Sequence, residues 1–146
     1  MYKRILVPLD GSELAEAILP QVEELAQALQ GEIFLVRVVF VSIHSYPGLD
    51  LTQLQLSVIN EAESYLEKVA QRLTQKGLKV DTSVRYGDTA EEILEHIHDR
   101  GIDLIAMSTH GRSGIKRWML GSVAEKVLRA ASVPLLLIRA SQPDDI

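Results

Sequence analysis

The chain has no cysteine among its 146 residues, which excludes a disulfide framework and any thiolate metal site. Aromatic residues are scarce at 5%, and Trp118 is the one tryptophan. No apolar run approaches the roughly 18 residues that a membrane span needs. The opening "MYKRILVPLDGS" carries two cations, but its apolar stretch stops at Pro8 and Asp10. That is too short for a signal peptide and reads as a first strand, so the expected location is cytoplasmic. Positive charge is also in deficit. A net charge of −5 speaks against a general nucleic-acid surface. Neither a Walker loop nor a G-x-G-x-x-G fingerprint occurs. His96 and His98 stand two apart on a predicted helix, roughly 200° around its axis, and cannot share a metal. His44 reads as a loop residue. His110 has no neighbouring base with an orienting carboxylate, so no catalytic residue is assigned.

What is present is the ordinary mix of a soluble globular protein, 47% hydrophobic and 24% charged, and its length suits one domain over residues 1–146. "RILVPL" (Arg4–Leu9) is a continuous apolar run, as expected of a strand buried on both faces. Apolar residues Ala15, Ile18, Val22, Leu25, Ala26 and Leu29 then recur at three and four, predicting a helix from about Ser12 to Leu29, stopped by Gly31. "EIFLVRVVF" (Glu32–Phe40) is rich in β-branched residues and predicts a second strand. Thr52-x-x-Gln55 has the form of a capping box for a long helix to about Lys76, with Val58, Ala62, Tyr65, Leu66, Val69 and Leu73 as its buried stripe. "LKVDTSVRY" alternates as a third strand. A helix capped by Asp88-x-x-Glu91 and stopped by Gly101 follows. "DLIAMS", a helix from Ser122 to about Ala131, and "PLLLIR" complete the order. Alternating strands and helices predict an open parallel sheet covered on both faces.

Charge and glycine concentrate in one stretch. Between Thr109 and Arg129 five cations face one anion, a balance of +4 that leaves −9 on the remainder. A basic island on an acidic body suits a small anionic ligand. The stretch contains Gly111, Gly114 and Gly121, the last just before a predicted helix whose first N–H groups lack intrahelical partners. Helix dipole and free amides together make an anion site. Arg112, Lys116 and Arg117 are placed to close over phosphates. Asp10-x-x-Glu13 and Ser122-x-x-Glu125 read equally as capping boxes, and a capped helix still has N–H groups to offer. Trp118, Met119 and Leu120 read as core or as a subunit contact.

"ILVPLDGSELAEAIL", "LVRVV" and "STHGRSGIKRWMLGSVAEKVLRAASVPLLLIR" together resemble a single-domain universal stress protein over essentially the full length. Nucleotide-binding members have Gly, two residues, Gly, nine residues, then Gly-Ser or Gly-Thr. Gly111, Arg112–Leu120 and Gly121-Ser122 match, while Ser108 stands in place of the first glycine. The resemblance implies an adenine nucleotide alpha hydrolase-like fold with strand order 3-2-1-4-5. It also implies binding of ATP, or of ADP or AMP, with magnesium or manganese, in a homodimer joined through the last strand (Pro134–Arg139). By the same resemblance Pro8, Leu9 and Asp10 line the adenosine side, Asp10 lying near the ribose or the metal ion. The Val38 main chain meets the adenine edge. Met107, Ser108 and Gly111 flank ribose and phosphates, and Gly121, Ser122 and Val123 hold phosphate. The function implied is a regulatory stress-response module that acts as a dimer. A slow ATPase or phosphotransferase, and a nucleotide-independent adaptor, are the alternatives.

Overall fold

A computed structural model describes residues 1–42, 48, 50–109 and 121–140. Its centre is the first apolar run, β1 (Arg4–Pro8), in which Ile5, Leu6 and Val7 are fully buried. Alternation sends Ile5 and Val7 to one side of the sheet and Leu6 to the other. β2 (Glu32–Val39) divides Ile33 and Leu35 from Phe34 and Val36 in the same way. With β3 (Lys79–Tyr86), β4 (Leu104–Thr109) and β5 (Leu135–Arg139) they form a five-stranded parallel sheet of order β3-β2-β1-β4-β5. On one face lie α1 (Glu13–Glu16), α2 (Leu19–Leu29) and α3 (Leu51–Thr74), burying Ile18, Val22, Leu66 and Leu73. On the other lie α4 (Thr89–Arg100) and α5 (Ser122–Ala130), burying Ile93, Ile97 and Val127. Right-handed crossovers demand this division once the chain runs β1 to β3 in one direction and returns to β4 beside β1.

The helix expected over Ser12–Leu29 is two helices. Pro20 has no N–H for the Glu16 carbonyl, so α1 closes at Glu16 and α2 starts afresh with Pro20 in its first turn. Gly31 is not the left-handed stop. Gln30 takes that conformation (φ 54°), and Gly31 is small because a Cβ there would lie 3.2 Å from the Tyr2 carbonyl oxygen. The long helix is capped by Asp50, whose carboxylate accepts from the Thr52 amide at 3.0 Å, rather than by Thr52. Asp88 and Gly101 take the capping positions expected of them.

The turn from β1 into α1 depends on Gly11 (φ +89°), where a side chain is strained. A Cβ at this position would also meet the Arg37 guanidinium at 3.4 Å. Arg37 is held there by Glu61 at 3.1 Å and by the face of the Tyr65 ring at 5.1 Å. Changing Gly11 to Ala is expected to lower stability by about 1–2 kcal/mol, read as a lower urea midpoint at unchanged m-value.

Between β3 and α4 lies a polar cluster that periodicity did not reveal. Arg85 pairs with Glu92 (3.0 Å), Glu95 (3.3 Å) and Asp99 (3.2 Å), and its Nη1 lies 3.2 Å from Nδ1 of His96. His96 is 1% exposed. Because arginine can only donate, Nδ1 accepts and the ring is neutral, with its proton on Nε2. Burial first, then Arg85 and Arg100, holds the His96 pKa below its ordinary 6.5. The unfolded chain therefore binds more protons here as pH falls through 6.5, and the folded state loses stability in that direction. The limiting slope is about 1.4 kcal/mol per pH unit. Urea midpoints at pH 7.5, 6.5 and 5.5 should fall more steeply for the parent than for His96→Asn, which keeps an acceptor and does not titrate. Equal slopes would contradict the assignment.

Candidate functional site

β1 and β4 are neighbours that part early. Among the described residues their register covers Ile5↔Leu104 and Leu6↔Ile105. Beyond it β1 stays with β2 through Pro8↔Val36, and the Leu9 amide donates to the Val36 carbonyl at 2.9 Å. β4 stays with β5 through Thr109↔Arg139. The sheet therefore opens at its carboxyl edge, at the point where strand order reverses. A cleft of about 250 Å³ occupies the opening.

The residues singled out from sequence converge on this cleft. Pro8, Leu9 and Asp10 line it from the end of β1, Val38 from β2, and Met107 and Ser108 from β4. Gly121, Ser122 and Val123 line it from the start of α5. Gly111 and Arg112 lie outside the described residues, as do His44, His110, Gly114, Lys116, Arg117, Trp118, Met119 and Leu120. The cleft also takes in Ser12, Leu14 and Ala15 of the first turn and helix, and Thr89 and Ile93 of α4. Ser12 was legible as part of "DGSE". Thr89 and Ile93 carried no local signal, because their place follows from α4 packing beside β2.

Asp10 and Ser12 act together. Oδ1 of Asp10 accepts from the Ser12 amide at 2.9 Å and from its hydroxyl at 2.5 Å. The same hydroxyl oxygen accepts from the Ala15 amide at 3.1 Å, so Ser12 and not Asp10 caps α1. Both bonds use Oδ1, which leaves the acceptor capacity of Oδ2. Asp10 is exposed at the cleft.

The start of α5 differs from the expected capping box. Gly121 is the N-cap, no side chain among the described residues caps the helix, and the Glu125 amide donates to the Gly121 carbonyl at 2.9 Å. The Glu125 carboxylate instead accepts from Arg129 at 2.8 Å. Among the described residues the first amides of α5 thus have no side-chain acceptor, and the helix dipole lies behind them. Gly121 has φ −58°, a value any residue can adopt. Its lack of a side chain matters for approach rather than for backbone conformation. Between this polar end and β2, Leu9, Val36, Val38, Ile93 and Met107 form an apolar slot. A flat apolar group at one end and an anion at the other is the ligand shape these walls accept.

Ser108 is half-buried at the cleft wall, and its hydroxyl donates to the Ala15 carbonyl at 3.2 Å. Among the described residues no group of three or more His, Asp or Glu side chains is placed to hold a metal ion. No described helix is long and apolar enough to cross a membrane.

Comparison with known proteins agrees with this architecture. The model of the universal stress protein family matches residues 1–139. Universal stress protein YxiE of Bacillus subtilis is 30% identical over 95% of this chain and 100% of its own length. The solved structure of universal stress protein MJ0577 of Methanocaldococcus jannaschii is 31% identical and superposes with a TM-score of 0.82, covering 97% of this chain and 99% of that one. A universal stress protein from Archaeoglobus fulgidus, solved in complex with dAMP, shares the fold at 18% identity and a TM-score of 0.69, over 94% and 98% of the two chains. Strand order, the cleft at the β1/β4 divide and these matches agree: the chain belongs to the universal stress protein family and has its adenine nucleotide alpha hydrolase-like fold.

Proposed function

We propose that the cleft binds an adenine nucleotide, with ATP and a magnesium or manganese ion as the full ligand, and that the protein is a regulatory module responding to that nucleotide. One observation carries the reading: the uncapped N-terminus of α5 faces an apolar slot at the strand-order reversal. Adenine enters the slot against the Val38 main chain, with Pro8 and Leu9 on the adenosine side. Asp10 takes the ribose hydroxyls or the metal ion. Met107 and Ser108 flank the sugar, with Gly111 and Arg112 beyond them. Gly121, Ser122 and Val123 receive phosphate through their amides. The Archaeoglobus fulgidus complex lends support, since a protein of this fold there carries an adenine nucleotide.

In the same reading the protein is a homodimer in which β5 meets its copy. β5 is an edge strand, and Leu135, Leu136, Leu137 and Ile138 are each only half-buried. Exposed aliphatic edges of this kind pair readily with another strand.

Calorimetric titration with MgATP tests the site. Asp10→Ala and Gly121→Val should each weaken binding about tenfold or more while the circular dichroism spectrum stays that of the parent. Parent-like affinity in both variants would move the site elsewhere. Absence of binding by the parent would remove the nucleotide reading.

A further inference from the structure

At the height of Ser108 the two halves of the sheet share no ladder pair. β1 has parted from β4 after Leu6↔Ile105, and Ser108 is in register with Ile138 of β5. Among the described residues one hydrogen bond spans the gap from β4, that from the Ser108 hydroxyl to the Ala15 carbonyl. Ala15 sits in the last turn of α1, where carbonyls lack intrahelical donors.

The far side of α1 is fastened separately. The Glu16 carboxylate accepts from the Tyr65 hydroxyl at 2.8 Å and pairs with Arg72 at 2.6 Å, tying α1 to α3. The Tyr65 phenol is held well above its ordinary pKa by burial and by Glu16, so it remains a donor. α1 is four residues long, and Leu14 and Ala15 line the cleft opposite Met107. Without the Ser108 bond α1 would keep its ties to α3 and its apolar packing on β4 and the core, but the wall formed by Leu14 and Ala15 would lose its polar anchor to β4.

We propose that Ser108 is a positioning residue: its hydroxyl latches α1 to β4 across the gap and so sets the width of the cleft. Glycine at this position would leave α1 without the latch, because it has no side-chain donor. The proposal rests on the nucleotide reading of the site for its functional consequence, but the latch itself can be measured without ligand.

The test compares the parent with Ser108→Ala and Ser108→Thr. Without ligand, exchange at the Glu16 and Ala17 amides should quicken about threefold to tenfold in the Ala variant and return to the parent rate in the Thr variant. Calorimetry with MgATP should show affinity falling about threefold or more in Ser108→Ala and recovering in Ser108→Thr. Unchanged exchange in the Ala variant overturns the latch. Equal loss in both variants assigns the effect to packing and overturns the role of the hydroxyl. Faster exchange with unaltered affinity shows that α1 is fastened without setting the cleft, and overturns positioning. If the parent takes up no MgATP, the nucleotide reading fails by itself, and the exchange comparison still decides whether the latch exists.

Discussion

The parting of β1 from β4 is the constraint on which the rest of the structure depends. Two parallel strands that stayed paired to their ends would leave no room between them. Here β1 follows β2 and β4 follows β5 once Leu6 and Ile105 are passed. The backbone groups released by that divergence need partners, and so does the surface it exposes. The Leu9 amide stays on the Val36 carbonyl of β2, and across the gap the Ser108 side-chain hydroxyl donates to the Ala15 carbonyl of α1.

Each wall of the opening follows from a local rule applied at that place. Gly11, with φ +89°, makes the turn that returns the chain over the sheet, and the Arg37 guanidinium borders it. Ser12, braced by Asp10, starts α1. Pro20 ends it soon afterwards, so a short helix rather than a long one borders the cleft. At the opposite wall α5 begins with a glycine and, among the described residues, no side-chain cap takes its first donors. Under the proposed function such a concentration of partial positive charge offsets the overall field of an acidic chain, which works against an anion's approach. The net +4 between Thr109 and Arg129 lies next to that helix start in the chain.

The alternation of strands and helices was legible because strands buried on both faces announce themselves as unbroken apolar runs, of which "RILVPL" is the plainest. The order of the strands came through the family resemblance, since apolar runs do not say which strands are neighbours. At the cleft, Gly121 and Ser122 were legible as a glycine opening a helix, and the ends of β1 and β4 from the reversal of strand order. The individual assignments of Pro8, Leu9, Asp10, Val38, Met107 and Ser108 came through the family resemblance. Capping was less legible. Several Ser, Thr and Asp residues crowd each helix start, and the choice of Ser12 over Asp10, or Asp50 over Thr52, is made by backbone geometry that spacing does not encode. The break at Pro20 was visible in principle, yet the apolar period runs through it unaltered. His96 and Arg85 were beyond reach, because a partly exposed ion-pair cluster over a buried histidine arises only when β3 and α4 are brought together. The same holds for Thr89 and Ile93 at the cleft.

The central claim is that the first amides of α5 receive the anionic end of a nucleotide whose sugar lies at the end of β1. Amide resonances of a nitrogen-15-labelled sample, followed during titration with MgATP, address it most directly. The account predicts saturable shifts that are largest at Gly121, Ser122 and Val123, with a second group at Leu9, Asp10 and Gly11. Saturable shifts centred elsewhere, with these six amides unmoved, would contradict it.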